Sequence, residues 1–164
     1  MIDLIVLDVD GCMTNGEIIY SQDGNETKTF NVKDGLAIVS WMKLGKKAAI
    51  ITGRESKIVR KRAQELGIDH LYQKVKDKKQ KLVEILEKEN LSFENVAVIG
   101  DDLNDYQMLS VAKRSFSPND AVLHIKKNVQ TILAKKGGEG AIREMIDILI
   151  EEENLNEEFL KLWL

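Results

Sequence analysis

Leu4-Ile5-Val6-Leu7-Asp8-Val9-Asp10-Gly11 decides how this 164-residue chain is built. Four apolar residues with no polar break predict a strand buried on both faces, as in the interior of a parallel sheet. Two carboxylates follow, two positions apart, and a glycine closes the stretch. Strand alternation sets residues i and i+2 on the same side, so Asp8 and Asp10 can converge on one small volume. In open α/β sheets, ligands bind beyond the carboxyl ends of the strands. Two anions held there need a cation between them or a proton on one of them. The plainer reading is a polar loop after a strand, with an Asp capping a helix.

The pattern of a buried run ending in polar residues recurs outward from this stretch. Lys47 to Ile51 ends at Thr52-Gly53-Arg54, and Val96 to Ile99 ends at Gly100-Asp101-Asp102. Leu71-Tyr72 is a shorter strand, and a weaker strand and helix occupy Arg114 to Ile125. Helical segments lie between: one from Asp34 as cap to about Leu44, one from Ser56 closed by Gly67, and one entered through Asp77 and Gln80 with Leu82, Ile85 and Leu86 inward. Asn104 is a candidate cap for the next, and Gly137 to Gly140 precedes a helix over Ala141 to Ile150. Strands alternating with helices predict an α/β, doubly wound, Rossmann-like parallel sheet with helices on both faces, one domain over 1–164. No G-x-G-x-x-G follows the first strand and no Gly-Lys-Ser/Thr loop occurs, so neither dinucleotide binding nor a phosphate-binding nucleotide loop is expected.

A hairpin over about 17–31 interrupts the first crossover, with Asp23-Gly24 at its turn. It carries Ile18, Ile19, Tyr20 and Phe30 with little of its own to bury them against, and an isolated hairpin of this size is marginal in water. Packing on another subunit is the expectation. The acidic tail, about 151–164, ends in Phe159, Leu160 and Trp163, and either covers its own core or reaches a neighbour.

Composition narrows the function classes. With 43% apolar residues, 31% charged residues and a net charge of −3, the chain has the make-up of a soluble globular protein and no basic surplus for nucleic acid. No apolar run reaches membrane-spanning length and no basic leader precedes the first strand, so no membrane partner and a cytoplasmic location are expected. Cys12 is the only cysteine, which excludes an intrachain disulfide and reads as a small buried hydrophobe.

Asp8 and Asp10, Thr52, a lysine at the helix start near Lys78, and Asp101 and Asp102 all face one edge of the expected sheet. Carboxylates from two strands suit a hard divalent cation such as Mg²⁺. A hydroxyl and an ammonium beside it are what a phosphoryl group needs. One carboxylate can attack phosphorus, and a second can protonate the leaving oxygen. Lys74 to Lys81 holds five lysines; solvated surface is their default, with Lys78 alone assigned chemistry.

Asp8-Val9-Asp10-Gly11 with Thr14, Ile51-Thr52-Gly53, Lys78, and Gly100-Asp101-Asp102 resemble, in order, the four motifs of the haloacid dehalogenase superfamily. The resemblance implies that Asp8 is the nucleophile and Asp10 the general acid and base. It implies that Thr52 and Lys78 hold the phosphoryl oxygens. Mg²⁺ would be held by Asp8, Asp10 (through its backbone carbonyl) and Asp101, supported by Asp102 and Asp105. Capping is the plainer role for Asp105.

Phe30-Asn31-Val32-Lys33-Asp34-Gly35, Ile51-Thr52-Gly53-Arg54, Leu71-Tyr72-Gln73 and Gly138-Glu139-Gly140-Ala141-Ile142-Arg143-Glu144 look like the family of 3-deoxy-D-manno-octulosonate 8-phosphate phosphatases. That family lacks a cap domain, acts on the route to lipopolysaccharide and forms homotetramers. Here Asp10 and Thr52 lie only 42 positions apart, too few for a lid domain. Asn31, Lys33, Asp34 and Gly35 would line the pocket for the sugar-acid phosphate, with Asp10 and Lys78; Asp34 as a cap and Gly35 as a turn are the plainer roles. Arg54 and Arg62 would hold the substrate carboxylate, one of them across a subunit boundary, or else make interface salt bridges.

Departures from the family are Cys12 and Met13 where aliphatics are usual, Asn15 where Asp is usual, and the lysine-rich stretch, which leaves Lys76 and Lys79 as rivals to Lys78. A nine-carbon sialic-acid-type 9-phosphate is the nearest rival substrate. A phospho-accepting receiver-like domain is the rival of another class, and an idle scaffold is a third reading.

Overall fold

The structure is a computed structural model that describes residues 1–164. Six parallel strands form one sheet in the order β5-β4-β1-β6-β7-β8, made of β1 (Leu4–Leu7), β4 (Lys47–Ile51), β5 (His70–Tyr72), β6 (Val96–Ile99), β7 (Arg114–Ser117) and β8 (Thr131–Ile132). The doubly wound arrangement expected from the sequence is present. β1 lies inside the sheet, with Leu4 opposite both Lys47 and Val96, and Leu7 opposite both Ile50 and Ile99. This register brings the carboxyl ends of β1, β4 and β6 level, so Asp8, Thr52 and Asp101 leave the sheet side by side.

Alternation along β1 explains its unbroken apolar run. Ile5 and Leu7 point into the larger core, which they share with Trp41 and Ile38 of α1 (Val32–Lys43), Val59 and Ala63 of α2 (Lys57–Leu66) and the apolar stripe of α6 (Ala141–Glu152). Leu4 and Val6 point the other way, onto Leu82 and Ile85 of α3 (Lys78–Glu89) and Met108 of α4 (Tyr106–Val111), with Ile125 of α5 (Leu123–Lys126). Both faces must be covered, so no polar residue fits between Leu4 and Leu7.

Two helix starts differ from expectation. Asn31, not Asp34, caps α1: its side chain accepts from the Lys33 amide at 2.9 Å, and Asp34 turns inward in the first turn. Asp102, not Asn104, caps the short 3₁₀ turn Leu103–Asp105 that leads into α4. In both places two side chains able to cap stand within three positions, and the one immediately before the first helical residue takes the cap. Ser56 caps α2, Gly67 ends it in the left-handed region, and Asp77 accepts from the Gln80 amide.

The hairpin is reduced to β2 (Ile19–Tyr20) and β3 (Glu26–Thr27). Ile18, Ile19 and Tyr20 are exposed, while Phe30 reaches the large core. In the tail, α7 (Asn156–Lys161) buries Phe159 in that core, and the Trp163 indole donates to the Ser40 hydroxyl at 3.1 Å. This side of the tail covers its own chain, with Leu160 and Leu164 left outward.

Candidate active site

Past Leu7 the backbone makes an irregular turn over Val9–Met13, entered by Asp8, with Asp10 and Gly11 in non-helical conformations. Thr14 ties the turn together: its amide and hydroxyl donate to the Val9 carbonyl, and its hydroxyl accepts from the amides of Gly11 and Gly16. Gly11 sits at φ +95°, and a Cβ there would lie 2.1 Å from the Asp101 carboxylate. Only glycine allows this turn and the close approach of Asp101 together.

Asp8, 5% exposed, accepts from the Lys78 ammonium at 2.6 Å. The same ammonium donates at 2.5 Å to Asp105, which is wholly buried. Asp105 also accepts from the amides of Asp101 and Asp102 at 3.0 and 3.3 Å, fixing the turn that presents Asp101. Gly100 makes room for it, since a Cβ there would meet Asp105 at 2.4 Å. Of the rival lysines, Lys78 is the one brought to Asp8.

Burial first, then the Asp105 charge, pushes the Asp8 carboxyl up to about 7, against the pull of Lys78. Asp101 is pushed up to about 8 by burial and then by the Asp8 charge. Burial alone would lower Lys78, yet Asp8 and Asp105 outweigh it and hold the ammonium above the ordinary lysine value. Carboxylate oxygens of Asp8 and Asp101 and the Cys12 sulfur lie within 4.8 Å of one another. Two carboxylates crowded to this degree are what a divalent cation relieves, and a set of hard oxygens suits Mg²⁺. The residues present therefore fit that ion. Cys12 is buried with its thiol pushed well up by burial and then by the Asp8 and Asp101 charges, so it stays protonated beside them.

Asp8, Asp10, Gly16, Thr52, Gly53, Arg54, Asp101, Asp102 and Asn104 line one cavity of about 270 Å³, with no apolar side chain in its wall. Thr52 is fixed by its amide on the Tyr72 carbonyl and its own carbonyl on the Val75 amide. Two charged residues of the hairpin, unsuspected from the sequence, pair with side chains that line this cavity. Lys28 pairs with Asp10 and lies 3.4 Å from Glu26, whose carboxylate accepts from Arg54 at 2.7 Å. Their only sequence signal is that they stand two apart, on one side of the strand.

Asn31, Lys33, Asp34, Gly35 and Arg62, expected along the substrate pocket, do not line this cavity within the single chain. Asn31 spends its side-chain oxygen on the cap of α1 and, with exposed Lys33, borders a separate cavity shared with Lys135, Glu139 and Arg143. Asp34 is buried against the Arg143 amide at 2.8 Å. Gly35 is closed by Arg62, whose guanidinium would lie 2.4 Å from a Cβ at that position. Arg62 in turn stands over the Phe30 ring, with its Nε buried and unpartnered.

The run Gly137 to Gly140 proves more than a connection. The Gly138 amide donates to the Cys12 carbonyl at 3.1 Å, and a Cβ at Gly137 would lie 1.9 Å from the Gly11 carbonyl oxygen. The run is a backbone buttress behind the Asp8 turn.

Residues 26–113 match the haloacid dehalogenase-like hydrolase family. The chain is 39% identical over 149 residues to 3-deoxy-D-manno-octulosonate 8-phosphate phosphatase KdsC of Escherichia coli (strain K12), covering 91% of this chain and 79% of that one. The chain belongs to this family of haloacid dehalogenase-like hydrolases. Its Haemophilus influenzae relative of the same name is 32% identical over 158 residues, covering 96% of this chain and 88% of the relative. Among solved family structures, the 3-deoxy-D-manno-octulosonate 8-phosphate phosphatase of Moraxella catarrhalis, crystallised with magnesium ion, phosphate ion and KDO, matches at a TM-score of 0.95. It is 37% identical, over 99% of this chain and 94% of that one. The cobalt-bound Haemophilus influenzae family member matches at 0.88 with 33% identity, over 92% of this chain and 88% of that one. Family membership decides for the phosphatase over the receiver-like reading. No helix is long and apolar enough to cross a membrane.

Proposed function

We propose that this chain is a Mg²⁺-dependent phosphatase that hydrolyses 3-deoxy-D-manno-octulosonate 8-phosphate to the free sugar acid and phosphate, in the cytoplasm, on the route to lipopolysaccharide. The observation that carries the reading is Lys78 bridging Asp8 and Asp105, with Asp8 lining a polar cavity beside Asp10, Thr52 and Asp101. The names of the family's relatives supply the substrate.

In this reading Asp8 attacks phosphorus, and the bond from phosphorus to the sugar oxygen breaks. Asp10 gives its proton to that oxygen. Asp10 then takes a proton from water, which attacks the aspartyl-phosphate and restores the Asp8 carboxylate as phosphate leaves. Lys78 and Thr52 hold the phosphoryl oxygens, and Lys78 keeps Asp8 aimed. Asp8, Asp101 and the Asp10 carbonyl would hold Mg²⁺, with Asp102 and Asp105 behind them; when bound, the ion supplies positive charge against the phosphoryl oxygens. Arg54, with one buried guanidinium nitrogen unpartnered, receives the substrate carboxylate. The exposed Ile18, Ile19 and Tyr20 support assembly as a homotetramer through the hairpin, where Arg62 serves a neighbour's cavity.

The test is phosphate release with Mg²⁺ across eight- and nine-carbon keto-sugar acid phosphates, with p-nitrophenyl phosphate as a control. The eight-carbon acid should give the highest kcat/KM. A preference for the nine-carbon acid replaces the substrate, and a simple ester that beats both ends the sugar-acid reading. Solution sizing should give a tetramer, which a monomer would exclude.

A further inference from the structure

Lys28 has no role in the chemistry assigned so far, yet its side chain is 1% exposed. An ammonium is taken out of water only where partners replace the lost hydration. Its partners are Asp10, the acid and base of the proposed reaction, and Glu26. Glu26 is turned toward Arg54, so four side chains alternate in sign across the cavity mouth: Asp10, Lys28, Glu26 and Arg54. Glu26 and Lys28 stand two apart, which turns both to the site, while Phe30 packs on the core. β2 and β3 pair over only two residues each, too little to hold a hairpin in place alone. The ion pairs tie it down at Asp10.

We propose that Lys28 is a positioning residue: the hairpin uses it to hold the Asp10 carboxyl at the leaving oxygen, within its own subunit. Asp10 lies within the turn Val9–Met13 rather than in a strand and is 23% exposed, and Lys28 is the group that donates to its carboxyl. Lys78 does for Asp8 what Lys28 does for Asp10. This proposal rests on the phosphatase reading above.

Proton donation matters most where the leaving group is a poor one. An alkoxide from a sugar needs the proton as the bond breaks, whereas 2,4-dinitrophenolate leaves without it. Single-turnover phosphoryl transfer to the enzyme is measured from the sugar-acid phosphate and from 2,4-dinitrophenyl phosphate, in wild type, Lys28→Met, Lys28→Gln and Asp10→Asn. Misplacing a reacting group costs up to about a hundredfold, so both Lys28 variants should slow the sugar reaction about tenfold or more and the dinitrophenyl reaction less than about twofold. The second rate also reports that the variant is folded. Equal slowing of both means that Lys28 binds phosphate or holds the fold and overturns the proposal, as does no slowing of either. If Asp10→Asn itself fails to discriminate between leaving groups, the role of Asp10 falls instead, and the phosphatase reading with it.

Discussion

The carboxyl edge of the sheet and the hairpin above it solve one problem in different ways. Each sets a lysine on an aspartate of the site: Lys78 on Asp8 from α3, and Lys28 on Asp10 from beyond β3. Lys78 is anchored by a twelve-residue helix whose Leu82, Ile85 and Leu86 are packed under the sheet, and it has a second buried acid, Asp105. Lys28 follows a hairpin of two-residue strands whose Ile19 and Tyr20 are exposed. A nucleophile must be held in one place for the in-line attack. An acid that donates to one atom and then accepts from another gains from a support able to shift.

The largest test of that contrast is Asp8→Asn, which removes the anchored partner. Phosphate release should fall by at least about a thousandfold with the fold intact, as for loss of a nucleophile elsewhere. Residual turnover near one per cent would take the nucleophile away from Asp8.

Lys78→Met and Lys28→Met compare the two supports by stability. Without Lys78, two buried carboxylates face each other unpaired, a loss of about 3–5 kcal/mol in metal-free urea unfolding. Without Lys28, a partly exposed carboxylate loses its partner, and the loss should stay near about 1 kcal/mol. Similar losses would erase the distinction.

Asp34 is a buried aspartate with no lysine against it, and it bears on stability through pH. Burial pushes its carboxyl up to about 6, opposed by the Arg143 amide and the Arg62 charge. The folded state therefore binds the proton more tightly than the unfolded chain, and stability falls as pH rises from about 4 to about 6. The gap from its ordinary value of 3.8 amounts to roughly 3 kcal/mol. Asp34→Asn, which keeps an acceptor for the Arg143 amide, should flatten this slope in urea melts at pH 4, 5, 6 and 7. An unchanged slope would place the titration elsewhere.

The sheet edge was legible because its signals are local. An unbroken apolar run followed by polar residues marks a buried strand end, and Asp8, Thr52 and Asp101 each follow one. What escaped was long-range or degenerate. Lys28 and Glu26 look like ordinary charges of a solvated hairpin until the chain folds back over Asp10, and no periodicity announces an ion pair across a turn. Asn31 and Asp34 are equally able to cap, so sequence gave no means of seeing that the first would take the helix and the second would be buried. Asn31 is engaged there and Arg62 lies against Gly35, so both stand outside the cavity that Asp10 and Arg54 line.

The buttress formed by Gly137 and Gly138 has a consequence for biosynthesis. The turn after Asp8 leaves the ribosome well before the Gly138 amide that closes on Cys12, which emerges more than a hundred residues later. Until then the acids at the start of the chain lack the wall that shapes their turn. Catalytic competence is thereby deferred until that run has been made, and a chain broken off before residue 138 keeps every reacting side chain while lacking the backbone that aims them.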